Sequence, residues 1–331
     1  MKIFVTGAAG FIGFHLSSLL LQAGHEVCGY DGLTDYYEIE LKHKRLDILK
    51  NFAKFNFFPN MLEDAQALHS AFEINQPEII VHLAAQAGVR YSIENPQSYI
   101  DANLIGTFNI LELARANNIN HLMLASTSSV YGAENDFPFT ETTSTDGPLT
   151  LYSATKKATE VMAHSYSHLF GIPTTILRFF SVYGPWGRPD MALFKFVKAI
   201  NNDEPIEIFN NGNMLRDFTY VEDLVRAISL LIKKPPNVKS GNTDAYFQVV
   251  NIGNGEPINL MDFIAAIEKF IGKEAKKIFL PMQPGDVPAT WADNSKLVKI
   301  TGYKPQTNYL QGVKSFVDWY EHEYEVTGNG K

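Results

Sequence analysis

Lys2-Ile-Phe-Val-Thr-Gly-Ala-Ala-Gly-Phe-Ile-Gly13 opens the chain with strand-forming residues, a turn carrying three glycines, and the start of a helical pattern. Glycine in such a turn lets the backbone approach a pyrophosphate, and the helix N-terminus then offers N–H groups and the positive end of its dipole. The spacing is GxxGxxG rather than GxGxxG. The triplet alone is a weak signal; its place between strand and helix gives it weight, against the alternative of a glycine turn that binds nothing. The next strand ends at Asp31, eighteen residues after Gly13. A carboxylate there accepts hydrogen bonds from ribose hydroxyls and repels a 2′-phosphate, which favours NAD over NADP. Gly7, Gly10, Phe11, Ile12, Gly13 and Asp31 are therefore the first cofactor-binding candidates.

Outward from this unit, short apolar runs alternate with amphipathic helical patterns, the mark of a doubly wound parallel sheet. Strands are expected at 2–6, 26–30, 55–58, 78–83, 120–125 and 173–178, and helices near 11–23, 64–75, 95–117 and 151–170. In 95–117, Leu104, Phe108, Leu111 and Arg115 recur at three- and four-residue steps and are read as one mostly apolar face. After about residue 180 the alternation breaks down. Shorter helices at 190–201, 221–234, 259–271 and 307–323 mix with short strands and the Pro/Gly-rich connections 235–242 and 281–288. The expected fold is α/β: a Rossmann-type doubly wound parallel sheet over 1–180, with a smaller C-terminal α/β substrate lobe over 181–325. Segments such as 214–250 are expected to return to the sheet domain, and 326–331 to fray.

Hydrophobic residues at 45% and charged residues at 19% supply a full core without a metal or disulfide staple. The single cysteine, Cys28, excludes an intramolecular disulfide and a Cys-rich zinc site, and no metal is expected. Lying in a strand between Val27 and Gly29, it is poorly placed for catalysis. A net charge of -8 with no basic stripe argues against a nucleic-acid partner, yet leaves room for a small anion held by a few arginines. No signal-peptide pattern or apolar stretch of spanning length is visible, so a cytoplasmic protein without a membrane partner is expected.

Tyr152-Ser-Ala-Thr-Lys156 sets a tyrosine and a lysine four residues apart, on one face of a helix. A tyrosine titrates near pH ~10, so its use as a base needs positive charge nearby, which Lys156 and an oxidised nicotinamide would supply. The pair alone reads more readily as a surface feature. It gains meaning from Ser126-Thr127-Ser128-Ser129, which follows strand 120–125 at the carboxyl end of the sheet, where ligands bind. In isolation the serine cluster would be a turn or a helix cap.

Together these residues resemble the extended short-chain dehydrogenase/reductases, and within them the nucleotide-sugar 4-epimerases, over residues 2–322. The resemblance implies a catalytic set of Thr127, Tyr152 and Lys156, with Thr127 keeping the family's interval of twenty-five residues before the tyrosine. It implies that Leu83, Ala84 and Ala85, after His82, line the nicotinamide side, and that Leu62 and Asn103 belong to the cofactor set, Asn103 at least as readily as a structural residue. The strings from His82 to Ser92, Tyr183-Gly-Pro-Trp-Gly-Arg-Pro-Asp-Met-Ala192, Asn213–Tyr220 and Gln283–Thr290, with Asp35-Tyr36-Tyr37, are similar to those of UDP-glucuronate 4-epimerases. Two positions depart from the family. Met61-Leu62 stands where it has Asp-Leu, the Asp reaching the adenine, and Asp31-Gly32 where it has Asp-Asn.

The implied activity is NAD-dependent 4-epimerisation of UDP-glucuronic acid to UDP-galacturonic acid through a 4-keto sugar, with hydride removed and returned and Tyr152 moving the 4-hydroxyl proton. The 4-keto uronate can lose carbon dioxide, so its carboxylate must be held out of alignment. Thr127, Ser128, Ser129 and Ser181 are the neutral hydroxyls the resemblance offers for that. Arg90, Arg188 and Arg216 are candidates for the pyrophosphate, each also readable as an ordinary salt-bridge arginine. Phe194 and Phe209 are candidates for flanking the uracil, though either reads more readily as core packing. A dehydratase is disfavoured because Ser128-Ser129 replace the acids that elimination needs. A decarboxylase, a neutral-hexose epimerase and a non-catalytic NAD-binding regulator remain as rivals. A homodimer through helices 95–117 and 151–170 is expected from the resemblance.

Overall fold

Strand Lys2–Thr6 lies inside a seven-stranded sheet whose neighbouring strands all pair in parallel. The order across the sheet is Phe247–Ile252, Thr174–Phe179, His121–Thr127, Ile79–His82, Lys2–Thr6, Glu26–Tyr30, Phe55–Phe58. Chain order reverses between Lys2–Thr6 and Ile79–His82, the topological switch point of a Rossmann-type sheet, and this opens a crevice at the carboxyl ends of the strands. The computed structural model describes residues 1–237 and 246–325; the expected fraying of 326–331 and the end of connection 235–242 lie outside them.

The strands are buried on both faces. Ile3, Val5, Val81 and Met123 pack under helices Phe11–Gln22 and Val221–Ile232, while Phe4, Ile80, Leu122 and Leu124 pack under Ala65–Asn75, Gly106–Ala116 and Leu151–Phe170. The C-terminal lobe has its own core around Phe194, Phe218, Phe263 and Phe316, formed by helices Ala192–Asn201, Leu260–Ile271 and Tyr309–Trp319 and by short strands. The buried Asp217 carboxylate ties lobe to sheet. It accepts from the amides of Asn254 at 2.7 Å and Gly255 at 2.9 Å, just past the last sheet strand, and of Ala292 at 3.0 Å. Among the described residues, no helix is long and apolar enough to cross a membrane, and no cluster of His, Cys, Asp or Glu could hold a metal ion.

Two expectations need correction. The expected helix 95–117 is three pieces: Pro96–Tyr99, a π-helical segment Ile100–Ile105, and Gly106–Ala116. Within Gly106–Ala116 the buried face runs through Thr107, Ile110, Leu111 and Ala114, so Leu111 is buried but Phe108 and Arg115 point outward. Helix Ile39–Lys50 was not foreseen. Two of its buried positions are the cations Lys42 and Arg45, which mask the apolar period that marks a helix.

Candidate functional site

The glycine turn needs its glycines for space. Gly7 has a φ of +72°, and a Cβ there would meet the Ala84 amide at 2.9 Å; a Cβ on Gly13 would stand 2.0 Å from the Gly7 carbonyl. Only bare backbone lets strand, turn and helix close this tightly. Asp31 lies beside the turn, accepting from the Ala9 amide at 3.1 Å and the Leu33 amide at 2.9 Å. A carboxylate has about four acceptor positions, so capacity remains for ribose hydroxyls. Thr6 fixes the neighbouring strand end: its hydroxyl accepts from the amides of Leu83 and Ala84, both at 3.1 Å. These features fit a dinucleotide: a cradle a Cβ would fill, a free helix N-terminus, and an acid at the ribose position.

The second part stands at the end of strand His121–Thr127. Thr150 and Ser153 form a capping box that starts helix Leu151–Phe170, which places Tyr152 in its first turn and Lys156 one turn on. Behind them, Glu160 takes Arg178 in a bidentate pair at 2.8 and 3.0 Å and accepts from Ser126 at 2.6 Å. Both charged partners are nearly fully buried, so this pair locks helix Leu151–Phe170 to strand Thr174–Phe179, and the Ser126 bond ties it to the strand carrying Thr127. Asn103, in the π segment, donates to Thr155 at 3.0 Å and clamps the Gln86 backbone from both sides. It cross-ties the wall without lining the cavity.

Burial pushes the Tyr152 phenol up, with the neighbouring Thr127 hydroxyl and then the Arg188 charge pulling it back. The Arg188 charge thus bears on the phenol from the lobe side, a contribution the sequence did not suggest. Burial lowers Lys156 to about 8, and Glu160 one turn away opposes the drop. His82, between Thr6 at 2.8 Å and Thr107 at 3.1 Å, is lowered by burial to about 3 and stays neutral.

The third part comes from the lobe and from the loop after strand Ile79–His82, whose Arg90 reaches across to it. Arg188 is held by Asp190, with Nε 3.0 Å from Oδ1 and Nη2 on Oδ2; Asp190 also accepts from the Tyr36 hydroxyl at 3.1 Å. Arg90 lies 4.4 Å over the Phe209 ring and 3.8 Å from Asp286. Arg216 donates to the carbonyls of Leu215 at 2.9 Å and Val287 at 2.7 Å.

One cavity of about 1080 Å³ joins the three parts. It is lined by the three glycines, Phe11, Ile12, Asp31, Leu62, Leu83–Ala85, Arg90, Thr127–Ser129, Tyr152, Lys156, Ser181, Arg188, Phe209 and Arg216. Phe194 is the exception among the substrate candidates. It is 1% exposed and packs against Phe316, Trp319, Tyr320 and Tyr324, so it belongs to the lobe core. Phe196, two residues on, faces the cavity instead.

Arg45 was missed with its helix. It is fully buried, donating to the Ala9 carbonyl at 3.0 Å and the Tyr37 hydroxyl at 2.8 Å, and across to the carbonyls of Trp186 at 2.6 Å and Gly187 at 3.3 Å. It thereby binds the glycine turn to the loop that carries Arg188. The visible signal was two cations three residues apart, Lys42 and Arg45, in an otherwise apolar-stepped segment.

Relatives share this plan. The chain is 52% identical over 334 residues to a probable UDP-glucuronate 4-epimerase of Rhizobium meliloti (strain 1021), covering 98% of each. It is 41% identical to the UDP-glucuronate 4-epimerase of Thermodesulfobacterium geofontis (strain OPF15), covering 97% of each. The crystal structure of UDP-glucuronic acid 4-epimerase from Bacillus cereus, in complex with UDP-glucuronic acid and NAD, superposes with a TM-score of 0.89 at 34% identity, covering 97% of this chain and 99% of that one. The sequence profile of the NAD dependent epimerase/dehydratase family matches residues 3–253, most of the chain, and the chain belongs to that family.

Proposed function

We propose that this protein is an NAD-dependent isomerase that interconverts UDP-glucuronic acid and UDP-galacturonic acid by inverting C4 of the sugar. The observation that carries the reading is the convergence of Thr127, Tyr152 and Lys156 with Ser128, Ser129 and Ser181 on one cavity, with no acid directly after Thr127. The sheet half, 1–180 with the returning strand, takes the cofactor; residues 181–325 take most of the sugar nucleotide. When bound, NAD supplies the reversible oxidation at the sugar C4.

Tyr152 accepts the 4-hydroxyl proton and later returns it to the inverted oxygen. Its place in the first turn of helix Leu151–Phe170 puts the positive end of the helix dipole near the phenolate. Thr127 donates to the same oxygen, and the Lys156 and Arg188 charges favour the ionised phenol. Ser128, Ser129 and Ser181 hold the C5 carboxylate through neutral donors, which fix its direction without drawing the reaction toward loss of carbon dioxide. Arg90, Arg188 and Arg216 bind the pyrophosphate, and Phe209 lies along the base.

The chain acts as a homodimer on this reading. Helices Gly106–Ala116 and Leu151–Phe170 pack side by side and leave Phe108, Val161, Leu169 and Phe170 exposed, an apolar surface suited to a second copy. A monomer by light scattering at micromolar concentration overturns the dimer. A cytoplasmic location accords with a lone, free and buried Cys28.

The test of the activity is an NMR time course with UDP-glucuronic acid, without and with added NAD, and with Tyr152→Phe as control. UDP-galacturonic acid is the expected product. A pentose nucleotide identifies a decarboxylase, and turnover of UDP-glucose alone shows that the Ser181 side was misassigned.

A further inference from the structure

We propose that this chain reads the base of its dinucleotide by the flat face rather than the edge, with Met61 as the platform, and so tolerates loss of the adenine amino group. The inference rests on the dinucleotide reading above. Where the base lies follows from topology. The N-terminus of helix Phe11–Gln22 takes the pyrophosphate and Asp31 the ribose, so the base falls beyond Asp31, at the ends of strands Glu26–Tyr30 and Phe55–Phe58. The cavity wall there is Gly32, Met61, Leu62 and Glu63.

Gly32 makes room for its neighbour. A Cβ on it would stand 2.2 Å from the Met61 sulfur, so the thioether lies directly over the glycine. The Met61 backbone is pinned, its carbonyl accepting from the Tyr30 hydroxyl at 3.0 Å, while the next carbonyl, of Leu62, accepts from Asn109 at 2.8 Å. The side chain above that anchor is 41% exposed and faces the cavity. The two departures from the family pattern are therefore one change, the loss of a side chain at 32 making room for a longer one at 61.

The chemistry of the wall changes with it. A thioether is polarizable and packs well against aromatic rings, but it is a weak acceptor and donates nothing. Neither position 32 nor position 61 now offers a side chain that can take a hydrogen bond from an exocyclic amine. Glu63 stands nearby, but its Oε2 is buried away from open space and has no partner.

The experiment is equilibrium competition at the protein's dinucleotide site, read by chromatography of released nucleotide. It compares NAD with nicotinamide hypoxanthine dinucleotide, in which an oxo group replaces the amino group. The decisive quantity is the preference for NAD in the natural protein against that in Met61→Asp. A carboxylate restored at 61 accepts from the amine and is expected to raise the preference by about tenfold or more, while Met61→Leu leaves it unchanged. Position 61 is partly exposed, and Met61→Asn serves as a second variant if Met61→Asp proves unstable. A smaller rise overturns the proposal. So does a strong natural preference that Glu63→Gln abolishes, since the edge is then read by Glu63. Binding of neither dinucleotide overturns the cofactor reading itself and this proposal with it, whereas tight NAD binding with unchanged discrimination overturns this proposal alone.

Discussion

On the sheet wall of the cavity, the groups around Tyr152 are tied to buried partners: Ser126 to Glu160, Glu160 to Arg178, Asn103 to Thr155, Thr6 to the Leu83 and Ala84 amides. On the lobe wall the arginines are tied too, but to groups an anion could displace: Asp190 for Arg188, Asp286 for Arg90, two carbonyls for Arg216. The first wall is assembled before any ligand arrives. The second must exchange partners to take one. Positioning chemistry to a fraction of an ångström calls for the former, while recognising and releasing a charged nucleotide is served by the latter.

Breaking the sheet wall at its reactive atom should have the largest effect. Tyr152→Phe removes the proton carrier of the proposed mechanism and is expected to lower turnover by about a thousandfold, with bound NAD retained. Next comes Glu160→Gln, which leaves the buried Arg178 without its counter-charge and should cost about 3–5 kcal/mol of stability by denaturant titration. The same change marks the wall in its pH profile. On the proposed mechanism activity needs Lys156 charged, so it should fall as pH rises through about 8; Glu160 holds that value up, so its loss moves the fall to lower pH. The sign for stability is separate. Because Lys156 titrates in the fold below its ordinary 10.5, the unfolded chain binds the extra proton between about 8 and 10.5, and stability rises with pH across that window.

The sheet wall was also the more legible in the sequence. Gly7 to Gly13, Asp31, Thr127, Tyr152 and Lys156 stand at strand ends and in the first two turns of a helix, and parallel-sheet topology carries strand ends to one edge whatever lies between. The lobe wall depends on loops that fold back over long separations. Nothing local announces that Arg45 would reach Trp186, or that Tyr36 would meet Asp190. Phe194 shows the same limit: beside a motif it looks available, yet only the arrival of the last helix decides that it is core. The apolar stripe read through Phe108 fails for a related reason: the buried face of Gly106–Ala116 runs through Thr107, a polar residue buried against His82, which breaks the apolar period.

The lobe wall is sharpened by two substitutions of smaller effect. Arg188→Ala deletes a charged donor and should raise the KM for UDP-glucuronic acid by about tenfold or more, with less change in kcat. Asp190→Asn asks the finer question of whether Asp190 competes with the substrate for Arg188 or aims it. As competitor, the carboxylate holds the guanidinium by both Nε and Nη2, an attraction of about 4 kcal/mol at the effective dielectric of a partly exposed site. As aiming device, it spares Arg188 up to about 2 kcal/mol of side-chain freedom. The first term is larger, but an asparagine keeps part of the hydrogen bonding to Arg188 and Tyr36, so the net should be near 1 kcal/mol in favour of the anion. Calorimetry with UDP-glucuronic acid in the Tyr152→Phe background, where no turnover intrudes, should then show Asp190→Asn binding about fivefold tighter, with a steeper loss of affinity as salt is added. Weaker binding would mean that orientation dominates, and the lobe wall would then be as preassembled as the sheet wall it faces.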